Sequence, residues 1–446
     1  MFSRVLVANR GEIAVRVIRA LHELRVEAVA VYSTADAGAL HARLADHAVC
    51  VGPPPAGESY LRIPSIVAAA TTTGCQAVHP GYGFLAENPA FVEACADNDL
   101  VFVGPPADVM TQMGDKIAAR RAMRDADVPT VPGTEGATTV TAARAAADEI
   151  GYPVLLKAAA GGGGKGMRVV EAGDELEDAF GAAAAEAAAA FGDSTLYVEK
   201  VLLPARHVEI QVLCDHQGNV LTLGERECSI QRRHQKLIEE TPSPALSAEL
   251  REEMEAAAER ACRAVGYVNA GTLEFLLGPD GSFSFIELNA RLQVEHPVTE
   301  LTTGIDLVRS QLQVAAGDPL PLAGRAPRRG HSIEIRLNAE DPERGFLPTP
   351  GLVTRFRPAQ GPGVRVDTFV EDGTQITPHY DSLLAKLVVW DVDRPAAIAR
   401  ALRALEETVI DGVPSTRELA IRVLESSEFA RGEYSTSTLA ELLVPA

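Results

Sequence analysis

Long apolar runs are what this sequence most plainly lacks. The stretch from Met1 to Ile13 is broken by Arg4, Arg10 and Glu12, so neither a signal peptide nor a membrane span is expected there, and nothing later supplies one. Cysteine is scarce and scattered. Cys50, Cys75, Cys95, Cys214, Cys228 and Cys262 form no Cys-x-x-Cys pair, which speaks against a disulfide framework or a zinc site and for a reduced compartment, by default the cytoplasm. Positive charge is short as well: 41 Lys and Arg face 61 Asp and Glu, a net charge of −20. Such a surface repels nucleic-acid phosphates and anionic lipid, so no nucleic-acid and no membrane partner is expected.

What is present is ordinary globular usage, 46% hydrophobic and 23% charged over 446 residues, enough for roughly three domains at about 150 residues each. Residues 5–8 read as a buried strand, and Ile13, Val17, Leu21 and Leu24 recur at helical spacing after Gly11. A strand at 29–31 follows. This opening predicts an α/β unit, Rossmann-like in plan, with a parallel sheet through about residue 110. Its turn carries Gly11 alone in place of Gly-x-Gly-x-x-Gly, so a nicotinamide or flavin dinucleotide site is not expected. Pro129 and Pro132-Gly133 mark a linker. A small unit comes next: a helix at 141–150, strands at 154–157 and 167–170 around a glycine loop, an alanine-rich helix at 182–190, and a strand at 196–200. Strands at 207–213, 271–277, 282–288, 332–337 and 383–389 then alternate with helices such as 247–265 and 394–408. No internal repeat is visible.

The glycine loop, Gly161 to Gly166 with Lys165, exposes backbone N–H groups that can surround a polyanion while the lysine adds a point charge. It is not a P-loop: Ala159 stands at the first glycine position and Gly166 where the metal-binding hydroxyl belongs. Two readings stand at this point, a flap over phosphates and a flexible surface hairpin.

Residues 271–287 form a second hairpin, with Asp280-Gly281 as the central pair of a tight turn. That turn puts Glu274 opposite Glu287, with β carbons about 5 Å apart. Facing carboxylates repel, and Asn289 lies on the same face, so the trio offers hard oxygen ligands of the kind magnesium prefers. If the strand stays extended, Arg291, Gln293 and Glu295 continue along that face. The bland alternative is a solvated strand face. Gln231-Arg232-Arg233-His234-Gln235-Lys236 concentrates cations in an acidic chain; it either meets an anion, or is a solvated loop, or pairs with Glu225, Glu227, Glu239 and Glu240. Arg336 projects from the polar face of its strand, and taken alone it is a surface or ion-pair arginine. The sequence from His79 to Phe84 reads as a turn.

Taken together, 8–14, 79–85, 113–116, 161–167, 225–236, 289–300 and 338–342 resemble biotin carboxylase, the ATP-grasp component of biotin-dependent carboxylases, over essentially the whole chain. The resemblance implies an α/β (α+β) chain with an ATP-grasp fold in three parts: an N-terminal Rossmann-like domain at 1–112, an ATP-grasp domain at 113–325 with a lid at about 131–202, and a C-terminal domain at 326–446. By the same resemblance, ATP meets Lys116, Lys157, Gly163, Gly164, Lys165, the hinge Glu199, Lys200, Val201 and Leu202, and His207, Gln231 and His234. Glu274, Glu287 and Asn289 match ligands for Mg2+ (or Mn2+), the first two also facing ATP. Lys236, Arg291, Gln293, Val294 and Glu295 match a bicarbonate pocket with Glu295 as general base, and Arg336 and Tyr82 match positions against biotin. Arg291, Glu295, Lys236 and Arg336 are the catalytic set.

The implied chemistry is carboxylation of biotin through carboxyphosphate at the expense of ATP. No Ala-Met-Lys-Met biotinylation sequence is present, so biotin is expected on a separate carrier protein, with a carboxyltransferase as a further chain and a homodimer as the assembly. Acetyl-CoA is the first expectation for the final acceptor, with other acyl-CoA, pyruvate or urea systems open. Departures from the family pattern are small: Ala159-Ala160 before the glycine run, Lys165 where some members have arginine, and Ala290 in place of a common threonine. The rivals are another ATP-grasp ligase joining a carboxylate to an amine and a noncatalytic nucleotide-binding subunit.

Overall fold

The computed structural model describes residues 1–134, 139–159, 166–233, 235–320 and 322–443. Strands Arg4–Val7, Glu27–Ser33, His47–Gly52, Ala77–His79 and Val101–Phe102 form a parallel sheet, with Arg4–Val7 at its centre. Val5, Leu6 and Val7 are wholly buried, as expected of a parallel strand covered on both faces. Chain order reverses on either side of the central strand, so the loops after Val7 and His79 open onto one crevice. Asn9 closes the gap between those loops, its Nδ2 donating to the carbonyls of Pro80 and Tyr82 at 2.7 Å each.

A three-stranded antiparallel sheet, in the order Arg168–Val170, Val154–Ala158, Leu196–Lys200, makes the small unit. Helices Val140–Ile150 and Leu176–Phe191 cover it. Its core is thin, built from Ala143, Ala147, Val154, Leu156, Val170, Leu176 and Val198. The alanine-rich helix packs Ala183 and Ala187 against Ala158 and Leu196.

The third sheet has nine strands. Its order is Phe283–Asn289, Asn269–Leu277, Arg206–Cys214, Val220–Arg232, Gln235–Thr241, His331–Asn338, Leu383–Asp391, Val364–Thr368, with Gly324–Arg325 beside Val220–Arg232. On one face Val208, Ile210, Val212, Leu273 and Phe275 pack against Met254, Ala258 and Ala261 of helix Ala248–Val265. The opposite face carries the charged residues at the alternate positions of the same strands.

The hairpin register differs from the sequence expectation in an instructive way. The turn is a residue longer: the Gly278 N–H donates to the Ser282 carbonyl at 2.7 Å, and Gly281 takes the left-handed conformation (φ +82°). Pairs near the turn are therefore Phe275 with Phe285 and Leu277 with Phe283. A bulge at Ile286 then restores the expected alignment, so Glu274 does lie opposite Glu287 and Thr272 opposite Asn289. Gln231, Arg232, Gln235 and Lys236 are strand residues and not a solvated loop: Val220–Arg232 and Gln235–Thr241 pair as neighbouring strands, and Lys236 lies inside the second.

Candidate functional site

Four adjacent strands bring four charged side chains into one row. Arg226 lies opposite Glu209, Glu209 opposite Glu274, and Glu274 opposite Glu287. Three carboxylates in line repel one another, so the arrangement stands only where cations join it. Arg226, with no exposed side-chain surface, places Nε 2.5 Å from Glu209 Oε1 and donates to Gln211, Thr272 and Thr299. Lys236 Nζ donates to Glu209 Oε2 at 2.6 Å, to Glu274 Oε1 at 3.0 Å and to Glu295 Oε1 at 2.6 Å. Burial opposes the charge on Lys236, but its three carboxylates hold it protonated, well above the usual lysine range. Burial would likewise raise Glu274 and Glu295. Lys236 and His207 instead pull Glu274 down, and Lys236, Arg336 and Arg226 pull Glu295 far down.

The stretch after Asn289 does not remain extended, contrary to the alternation argument. The strand ends there, residues 290–295 follow an irregular path, and helix His296–Thr303 begins with Pro297 in its first turn. Arg291, Gln293 and Glu295 nevertheless reach one cluster, because side chains anchor the segment where a β ladder does not. Glu87 accepts from the Ala290 N–H at 3.0 Å and from Arg291 Nε at 2.8 Å. Arg291 donates onward to Gln293 Oε1 at 2.9 Å and Asn289 Oδ1 at 3.0 Å, and Gln293 Nε2 donates to Glu274 Oε1 at 3.2 Å. Leu292 turns away into the core. The Val294 carbonyl accepts from Lys386 Nζ at 2.9 Å.

Arg336 is an internal residue of this network and not a surface arginine. It donates to Glu295 Oε2 at 2.9 Å and, through Nε, to Glu239 Oε1 at 2.7 Å. Burial, which Arg336 only partly offsets, lifts Glu239 to about 7. Tyr82 sits at the rim of the N-terminal sheet, where its hydroxyl donates to Glu12 and its ring centroid lies 5.8 Å from Lys386 Nζ.

On the side of the small unit, Lys157 donates to Glu199 Oε2 at 2.9 Å, and Arg120 pairs with the other oxygen. Burial opposes the Lys157 charge, yet Glu199 raises its affinity for the proton. Lys116 opens helix Lys116–Asp125; burial and then the charge of Lys157 lower it, while Glu287 pulls the other way. Lys200 turns its ammonium onto the carbonyls of Gly151 and Tyr152, and Val201 and Leu202 are half-buried beyond it. His207 Nε2 is 3.0 Å from Glu274 Oε2, although off the axis of a good hydrogen bond, and its Nδ1 is 3.2 Å from Gln231 Nε2. Gly163, Gly164, Lys165 and His234 lie outside the described residues.

Glu274, Glu287 and Asn289 fit a hard divalent cation. Burial and then the charge of Glu274 raise Glu287, the response of an acid whose neighbour is ionised, and Asn289 offers a neutral Oδ1, which here accepts from Arg291. Oxygen donors on facing strands, one of them under electrostatic stress, are what such an ion relieves.

Sequence reasoning missed Glu209, Arg226, Glu87 and Lys386, and named Glu239 only as one acid that the 231–236 run could pair with. Glu209, Arg226 and Glu239 sit on strands whose burial is nearly continuous, so no alternation marks them. Among the described residues no helix is long and apolar enough to cross a membrane.

Three family models match in sequence: the biotin carboxylase N-terminal domain at residues 1–110, the ATP-binding domain of the carbamoyl-phosphate synthase L chain at 115–323, and the biotin carboxylase C-terminal domain at 334–441. The chain is 51% identical over 443 residues to biotin carboxylase of Nostoc sp., covering 99% of each. It resembles the Campylobacter jejuni biotin carboxylase complex with TM-score 0.97 and 46% identity over 99% of each chain. It also resembles the biotin carboxylase domain dimer of the Hydrogenobacter thermophilus 2-oxoglutarate carboxylase, crystallised with MgADP, ADP and bicarbonate, with TM-score 0.96 and 45% identity over 100% of this chain and 99% of that one.

Proposed function

Because the chain belongs to the biotin carboxylase family and is an ATP-dependent ligase, we propose that it carboxylates biotin held on a separate carrier protein, as the first half-reaction of an acetyl-CoA carboxylase. The observation that carries this reading is the position of Lys236, which joins the acid row of Glu209 and Glu274 to Glu295, itself bound to Arg336. One cation thus links the row suited to a triphosphate's counter-ion to the arginine assigned to biotin.

In this reading Lys116 and Lys157, together with the glycine loop and the hinge 199–202, hold ATP. Glu274, Glu287 and Asn289 would hold Mg2+ or Mn2+, which when bound neutralises phosphate charge. Bicarbonate enters between Lys236, Arg291, Gln293 and the backbone of Val294. The paired state of Glu295 matters here. A carboxylate tied to Lys236 and Arg336 is a poor base, and an arriving oxyanion competes for those same cations, which frees Glu295 to take the bicarbonate proton. Bicarbonate oxygen then attacks the γ-phosphorus, ADP leaves, and carboxyphosphate forms while the surrounding cations balance the charge on the transferring oxygens. Carboxyphosphate breaks down to carbon dioxide and phosphate, the phosphate takes the proton of the biotin nitrogen, and Arg336 stabilises the enolate-like oxygen before that nitrogen attacks carbon dioxide. Closure of the small unit excludes water from an intermediate that hydrolyses readily.

The division at 1–112, 113–325 and 326–446, a homodimer, a separate carboxyltransferase and a cytoplasmic location belong to the same proposal. A 2-oxoglutarate carboxylase among the similar structures supports the view that the partner chains choose the final acceptor. The test is MgATP hydrolysis by the purified chain with and without bicarbonate and free biotin. Turnover that rises with both supports the reading; turnover indifferent to both refutes it, and stimulation by an amine instead would favour a carboxylate–amine ligase.

A further inference from the structure

Lys386 is as deeply buried as any lysine can be, with no exposed side-chain surface, yet it belongs to none of the groups assigned above. It sits on strand Leu383–Asp391, directly beside Arg336 of the neighbouring strand. Its Nζ has a specific set of partners: the Val294 carbonyl at 2.9 Å, Glu12 Oε1 at 3.1 Å on the first helix, and Asp367 Oδ2 at 3.9 Å on the next strand. Glu12 in turn accepts the Tyr82 hydroxyl.

Residues 290–295 carry three side chains of the proposed bicarbonate pocket with no ladder to hold their backbone, so each carbonyl needs its own donor. Arg291 Nη1 serves Leu292 at 3.2 Å, His296 Nδ1 serves Gln293 at 2.8 Å, and Lys386 serves Val294. Val294 and Glu295 share a peptide unit. The Lys386 contact therefore fixes the plane from which the Glu295 carboxylate departs, and the same ammonium, through Glu12, fixes the Tyr82 ring on the side assigned to biotin.

We infer that Lys386 is a positioning residue which, through the Val294 carbonyl and the Glu12–Tyr82 pair, holds Glu295 and the biotin-side wall in register with each other. It touches no substrate in this account. The inference rests on the carboxylation reading above, and two features separate it from a generic structural role. Its ammonium meets Val294, Glu12, Asp367 and the Tyr82 ring, none of them a residue assigned to ATP, and the Val294 and Glu12 contacts lead to the bicarbonate and biotin sides.

The test is steady-state kinetics of bicarbonate- and biotin-dependent ATP hydrolysis by the full chain, wild type and Lys386→Met. Misplacing a reactive group by about 1 Å costs on the order of 100-fold in rate. The variant should accordingly lose about 100-fold in kcat and raise the KM values for bicarbonate and biotin, with KM for MgATP within about twofold of wild type. Lys386→Arg, which can still reach a carbonyl, should recover part of the loss. If Lys386→Met leaves Glu12 uncompensated and does not fold, the Glu12→Gln, Lys386→Met double variant removes both charges and is read by the same criteria. Wild-type kcat in a folded variant, or equal rises in KM for MgATP and bicarbonate, overturns the inference. Absence of bicarbonate dependence in the wild type is a separate result, which removes the carboxylation reading and this inference with it.

Discussion

Lys236 stands between Glu209 and Glu295, 2.6 Å from a carboxylate oxygen of each, and so ties two acids that lie far apart in the chain. A buried cation serving several acids is worth most when it is removed, because what remains is uncompensated negative charge. Lys236→Met should lose about 3–5 kcal/mol of stability, read from urea unfolding at neutral pH. The sign of the pH dependence follows. Without the lysine, the burial of Glu274 and Glu295 is less fully offset and both bind protons more tightly than in the wild type, so the stability gap between variant and wild type should narrow as pH falls from 7 toward 5.

Glu287 faces Glu274 across the hairpin and carries the higher proton affinity of the two. Glu287→Gln keeps the shape and removes one anionic donor. Mn2+ binding in the presence of ADP, followed by electron paramagnetic resonance, should weaken by about tenfold or more, since charge count sets affinity at such sites. The unfolding midpoint should hold or rise slightly, because a strained buried acid has been neutralised. Unchanged Mn2+ affinity would remove Glu287 from the metal site.

Glu87 holds Arg291 from outside the cluster, and its carboxylate is partly exposed. Glu87→Ala leaves the Arg291 guanidinium fewer fixed partners and the Ala290 N–H without its acceptor. The expected result is a bicarbonate KM raised by about tenfold with MgATP affinity retained, checked by initial rates at varied bicarbonate. A variant whose KM values for both substrates move together would assign Glu87 to general folding.

Glu240 reports on acid stability. Burial alone would raise its pKa, yet His331 and Arg394 hydrogen bonds, at 2.6 and 2.7 Å, bring it down to about 2 from the ordinary 4.5. A depressed acid contributes its stability in full above 4.5 and loses it as pH falls toward 2, a contribution of about 3 kcal/mol at most. Glu240→Gln should be less stable at pH 6, and its stability should fall less steeply than wild type between pH 4.5 and 2 by chemical denaturation. Glu239 behaves in the opposite sense. Raised to about 7 by burial, it costs nothing below 4.5 and its full penalty above 7.

The acid pair was legible because it is local. A turn signal six residues from each member fixes their alignment, and the longer turn and the Ile286 bulge cancel at Glu274 and Glu287. The rest of the row was hidden, since Glu209 meets Glu274 only through a pairing between strands remote in sequence, and Arg226 joins the row through Glu209. Strand Val220–Arg232 also defies pattern reading: Glu225, Arg226, Glu227 and Ser229 are all buried within it, so polarity no longer marks the exposed face. Arg336 reads from its own strand as either a surface or an ion-pair arginine, and only the acids that enclose it, Glu239 and Glu295 from elsewhere in the chain, decide for the ion pair. The parallel opening sheet, by contrast, announces itself through continuous apolar strands and helical periodicity, both of which are properties of short windows.

Strand His331–Asn338 pairs with Gln235–Thr241 from Ser332 to Ile335, so the large sheet passes without interruption over the stretch that separates the ATP-grasp part of the proposal from the C-terminal part. Units of function need not be units of folding here. A polypeptide severed between residues 326 and 330 would leave each fragment with an unpaired sheet margin and half of an ionic seam, and neither half should be recoverable in native form unless the two are produced together.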